Sequence, residues 1–162
     1  MRVVNRTLYQ QVTNLTRFEV SLPERRQFFI ENSDLFADFG DNRESNPFFS
    51  RRIGIAKDLE GNSIENNIIA GARLSGKLNN KLRIGLLNMQ TAENIEQEIP
   101  TTNNAVLTAQ YKMFDRSNLS IMFINKQATK NYDFLDEQDR YNRVLGLDYR
   151  LASKNNTWIG KY

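Results

Sequence analysis

Hydrophobic and polar residues alternate most sharply over residues 68–86, IIAGARLSGKLNNKLRIGL. Ile68, Ala70, Ala72, Leu74, Gly76 and Leu78 form one set; Ile69, Gly71, Arg73, Ser75 and Lys77 form the other, so a small, apolar face backs onto a largely polar one. A period of two over this length predicts a β-strand with a different environment on each face. Asn79 and Asn80 mark a tight reversal, after which Leu82, Ile84 and Leu86 resume the apolar set against Arg83 and Gly85. The expected element is a β-hairpin.

The same period returns downstream. Ala105, Leu107, Ala109, Tyr111 and Met113 alternate with Asn104, Val106, Thr108, Gln110 and Lys112, and Leu119, Ile121 and Phe123 alternate with less contrast against Ser120, Met122 and Ile124. Leu145, Leu147, Tyr149 and Leu151 alternate with Val144, Gly146, Asp148 and Arg150 before SKNN turns the chain into TWIGKY, a third hairpin cut off by the chain end. Cross-strand partners share a face, so Leu78 pairs with Leu82 around residues 79–81, and Phe114 with Asn118 around residues 115–117. Both are three-residue hairpin loops, a common class. Connections between hairpins are much longer, TAENIEQEIPTTN and ATKNYDFLDEQDR. Short turns at one end and long polar loops at the other are the pattern of an outer-membrane barrel, and strands of about 9–11 residues suit a tilted crossing. Tyr111, Phe114, Tyr149 and Trp158 lie near the short turns, where an aromatic girdle belongs. The expected fold is all-β: an antiparallel hairpin meander, part of a transmembrane β-barrel, preceded by a short helix and loop segment. A soluble antiparallel sandwich alternates too and is the alternative, although its strands are usually shorter, about five or six residues.

Upstream, residues 1–22 carry no clear period beyond RFEVSL, which fits a short strand. Ser21, Pro23 and Glu24 suit the start of a helix over about residues 23–31, in which Phe28, Phe29 and Ile30 would be gripped from more than one side. Residues 32–46 read as loop anchored by Leu35, Phe36 and Phe39, and residues 57–66 as polar loop. Between them PFFSRRIG sets aromatics beside Arg51 and Arg52, either a polar lining that contacts anions or, more simply, a strand end with solvated charges. The chain thus divides into an N-terminal segment, residues 1–66, and three hairpins, residues 67–162.

Composition narrows the chemistry. Of 162 residues 20 are Asn, against 3 Pro and 8 Gly, which favours many reversals. Mean hydropathy is −0.60, and no run approaches the ~18 apolar residues of a membrane helix, whereas half-apolar barrel strands escape that test. Without Cys or His there are no thiol nucleophiles, Ser-His-Asp triads, disulfides or Cys/His zinc sites, and no cofactor or metal is expected. The net charge of +3 is dispersed, so nucleic acid is not an expected partner. MRVVNRTLYQQV lacks the apolar core of a secretory leader, which implies a cytoplasmic chain or a piece of a longer one.

Candidate chemistry is sparse. Glu24, Glu31 and Asp34 lie close enough to suggest a glycosidase carboxylate pair, with helix capping and solvated charge the simpler reading. Residues 77–81 lack the glycines of a phosphate loop. Asp133, Asp136, Glu137 and Asp139 do not match a calcium loop and read as solvated external charge. Arg73, Arg83, Lys112, Asp148 and Arg150 fall on the polar face and, with Arg51 and Arg52, are the candidate lumen-lining residues.

NLTRFE (residues 14–19), PERRQFFIENSDLF (23–36), PFFSRRIG (47–54), IIAGARLSGK, IGLLNMQT and YNRVLGLDYRLAS, in this order, resemble the domain-of-unknown-function 5916 family from about Val12 to the chain end. That resemblance implies the C-terminal β-barrel part of a long Gram-negative envelope protein, which typically follows a carbohydrate-binding, family-nine-like β-sandwich domain. It implies an outer-membrane location, outer-membrane lipid as a partner, and a link to glycan through the preceding domain. Family members carry an acidic stretch before the NLTRFE motif and continue through many more strands, so an internal fragment is expected; six strands are too few to close, since membrane barrels need about eight or more. No catalytic residue carries over. The PERRQFF and FFSRRIG segments are expected to pack inside the barrel as a plug. The expected role is a non-enzymatic anchor or pore; the alternatives are a soluble β-sandwich carbohydrate-binding module and, third, a carboxylate-dependent glycoside hydrolase.

Overall fold

The computed structural model describes residues 27–37, 39, 47–48, 50–155 and 157–161. The expected strand in residues 1–22, the helix start at residues 23–26 with Glu24, and Phe49 lie outside the described residues. Two single-turn helices, α1 (Gln27–Ile30) and α2 (Asp34–Ala37), are followed by a 3-10 turn, Ser50–Arg52. Strands β1 (Ile55–Lys57) and β2 (Ser63–Glu65) pair as a small hairpin. The remaining strands, β3 (Ile68–Lys77), β4 (Leu82–Thr91), β5 (Thr102–Met113), β6 (Ser117–Ala128), β7 (Tyr141–Ala152) and β8 (Ile159–Lys161), form one sheet in which each pairs antiparallel with the next. This is the expected all-β meander.

The first hairpin follows the sequence pattern: Lys77 lies opposite Arg83, and Leu78 N–H bonds Leu82 O at 2.9 Å around residues 79–81. Asn79 fixes this turn by accepting from the backbone of Lys81 and Leu82 at 2.8 and 2.9 Å. The second turn differs from expectation. Met113, not Phe114, closes the ladder, opposite Ser117, and the loop is residues 114–116 with Phe114 at φ +52°. Ser117 belongs to the strand because its buried hydroxyl accepts from Ala152 N at 3.1 Å. A two-residue slide leaves every side chain on its face, so alternation alone could not separate the two registers.

Three further differences have local causes. A register shift between Ile68 and Ala70 turns Ile68 away from its expected set to pack on the core. The first helix ends at Ile30, and after Asn32 at φ +48° the expected loop begins with a second helical turn, in which Phe36 and Ala37 N–H bond Ser33 O at 3.0 and 2.8 Å. The expected polar loop of residues 57–66 contains β2, because Asp58 accepts from the backbone of Glu60 and Asn62 at 3.0 and 2.7 Å and folds the chain back through Gly61 at φ +84°.

One face of the large sheet meets the N-terminal segment. Phe29, Leu35, Phe36, Phe39, Phe48 and Ile53 pack there on Leu87, Met89, Val106 and Met122. The opposite face carries the apolar set read from the sequence, and no described segment packs on it. Leu74, Leu86, Leu107, Phe123 and Leu145 lie opposite one another across five strands, and their exposure ranges from 40% to 72%, against 1–5% for the core residues of the inner face. A parallel row, Gly76, Ile84, Ala109, Ile121 and Leu147, runs beside it toward the short turns, followed by Leu82, Tyr111, Leu119 and Tyr149.

Candidate functional site

The inner face is built in rows, small or apolar in the middle and polar toward both ends. Ser75, Gly85, Thr108, Met122 and Gly146 form one central row, and Gly85 leaves the room that the ring of Phe36 fills: a Cβ there would lie 2.6 Å from Phe36 Cζ. The neighbouring row toward the short turns, Lys77, Arg83, Gln110, Ser120 and Asp148, is polar throughout.

Within it Arg83 grips Asp34 of α2 with both terminal nitrogens, at 2.6 and 3.2 Å, and donates to Gln110 Oε1 at 3.2 Å. Gln110 continues the chain to Ser120 Oγ at 3.4 Å. The Arg83 guanidinium, as hydrogen-bond donor and as charge, holds the Asp34 carboxyl below its ordinary range despite partial burial. A carboxylate so committed to an arginine is poorly suited to donate a proton as a glycosidase acid. Two rows away Arg73 donates to the backbone carbonyls of Phe28 and Glu31, and its guanidinium lies 4.7 Å from the centre of the Phe36 ring. Two of the arginines read as lumen lining are thus the pins that fasten the helical segment to the sheet.

The other candidates on the strands share this face. Asp148 is buried, with Lys161 Nζ 3.4 Å from Oδ2, and Arg150 stands opposite Asn118 and Lys161. Lys112, opposite Asn118, is exposed near the short turns. Arg51 and Arg52 are not at a strand end but in the 3-10 turn toward the long loops; the side chain of Arg51 lies outside the described residues. Arg52 stands at the junction of two adjoining hollows of about 550 and 430 Å³, both also lined by Thr102, Asn104 and Lys126.

The long loops carry a cluster that no motif in the sequence marks. Glu93 of one loop meets Lys130 of the other at 2.6 Å and accepts from the Tyr132 hydroxyl, while the Tyr132 oxygen accepts from Thr101 N at 3.0 Å. Hydrogen bonds from Lys130 and Tyr132 lower the Glu93 pKa; burial, then the bond to Glu93, raises that of Tyr132; the bond to Glu93 raises that of Lys130. Among the described residues no group of His, Cys, Asp or Glu is arranged to hold a metal ion.

Residues 7–161 match a family model described as Domain of unknown function (DUF5916). No curated protein and no solved structure matches the chain.

Proposed function

Because the chain belongs to the DUF5916 family, a domain family of unknown function, we propose from its geometry that it is a section of an outer-membrane β-barrel. Its role is the anchor or pore of a larger envelope protein linked to glycan handling. The observation that carries this reading is the uncovered apolar face. Full burial of each Leu, Ile or Phe in those rows is worth about 1.5–3 kcal/mol, and soluble monomers rarely leave so continuous an apolar surface in water.

The dimensions support lipid as what covers it. On β5 the outward positions from Ala105 to Met113 span about 27 Å at ~3.4 Å per residue, or about 21 Å along the membrane normal at a tilt of ~40°, against an apolar band of ~25 Å in known barrels. Toward the long loops the outward face turns polar: Asn88 and Asn103 exchange amide hydrogen bonds at 3.0 Å, and Arg143 donates to Asn125 at 3.1 Å. Toward the short turns it carries Tyr111, Phe114 and Trp158, all exposed, as a girdle at a bilayer edge requires. The inward face has the helical segment packed against it, which favours an anchor with a filled interior over an open channel in this section.

Circular dichroism of the full chain in buffer and in detergent micelles tests this. The expected result is strand signal, with blue-shifted Trp158 emission, only when detergent is present. A cooperative β-fold in buffer alone would turn the reading to the soluble sandwich that binds carbohydrate.

A further inference from the structure

We propose that the two adjoining hollows beside the 3-10 turn form a binding site for a small multivalent oxyanion. This site goes beyond the barrel reading and stands on the inner face and loops alone. It lies toward the long loops, between the N-terminal segment and strands β5 to β7. Among the described residues Arg52, Lys57, Lys126 and Arg140 line it, against the carboxylates Glu98 and Asp139, a positive excess. Concave walls of one sign concentrate the opposite ion above its bulk level.

Two features make this more than a solvated charge cluster. The larger hollow, about 550 Å³, falls within the range of small-molecule sites, about 300–1,000 Å³. Arg52 and Lys126 arrive from different elements, the 3-10 turn and β6, yet both line both hollows, so one ligand at the junction meets cations from two sides. Arg140 adds a further cation to the wall of the larger hollow, its Nη1 held by Asn131 Oδ1 at 3.2 Å. Thr102 and Asn104, on the floor shared by both hollows, offer hydroxyl and amide groups for the remaining oxygens. The recognised chemistry is carboxylate or phosphate oxygen carried at two or more positions on a compact molecule.

Isothermal titration calorimetry on the full chain, in the medium in which its strand signal appears, tests the site with citrate and pyrophosphate as separate probes. Saturable one-to-one binding of at least one is expected, weakening at higher salt, and which one binds distinguishes a carboxylate from a phosphate ligand. Lys126 is exposed, so Lys126→Gln leaves the fold intact and is expected to raise Kd at least fivefold, with recovery in Lys126→Arg. Arg52→Gln is expected to act in the same direction, and Lys154→Gln, on the remote turn after β7, to change nothing. The proposal is overturned if neither probe gives a saturable heat, or if Lys126→Gln binds as tightly as the parent chain.

Discussion

Phe36 can enter the middle of the sheet only because position 85 has no side chain. Gly85→Ala would place a methyl 2.6 Å from the Phe36 ring and 2.8 Å from Thr108 Cγ2, distances that force one of them to move. Overpacking of this kind costs about 1–3 kcal/mol, and the expected readout is a lower urea midpoint with earlier proteolysis of the helical segment. Arg83 acts on the same segment through charge. Because its grip holds the Asp34 pKa below the ordinary 3.8, this stabilisation is complete above that value and is lost as pH falls through the lower, folded-state pKa. Limited proteolysis at stepped pH should therefore show the segment protected at neutral pH and released only in strong acid. In Arg83→Leu the acid dependence should vanish, the segment being loose throughout.

At the scale of elements, the two long loops behave as one unit because Glu93, Lys130 and Tyr132 tie residues 92–101 to residues 129–140. Tyr132→Phe removes the hydroxyl that bridges Glu93 and Thr101 N, and hydrogen exchange should speed up in both loops while the strands are unchanged. The signs of the pKa shifts give this clasp two limits. The depressed Glu93 pKa means its contribution is lost as acid protonates the carboxylate, and the raised Tyr132 and Lys130 values mean theirs is lost only in strong alkali. How much of this was legible in the sequence depends on range. Alternation placed the long strands and the faces of Arg73, Arg83, Lys112, Asp148 and Arg150, because a period of two is a local property. It could not fix register beyond parity, which is why the turn at Phe114 came out one residue earlier, with the strands slid by two. It ended β6 near Ile124, since Asn125, Lys126 and Gln127 are polar on both faces, and so missed Lys126 as a wall of the crevice. The Arg83–Asp34 pair, 49 residues apart, and the loop clasp depend on tertiary placement, for which no local pattern exists.

For the molecule as a whole, the two faces of the sheet divide the work. The inner face is occupied by helical turns, pinned by arginines and packed around Leu87, Val106 and Met122; the outer face offers rows of leucine, isoleucine and phenylalanine to whatever surrounds it. A lipid surround accounts for the bounded apolar band, the amides above it and the aromatics below it. The most direct measurement places a single tryptophan on that face, Leu147→Trp with Trp158→Phe, and reads its quenching in phospholipid vesicles by acyl-chain bromines and by aqueous acrylamide. The membrane reading predicts strong quenching by the brominated chains and weak quenching by acrylamide. Strong acrylamide quenching with no effect of bromine, in a chain that retains its strand signal, would contradict it.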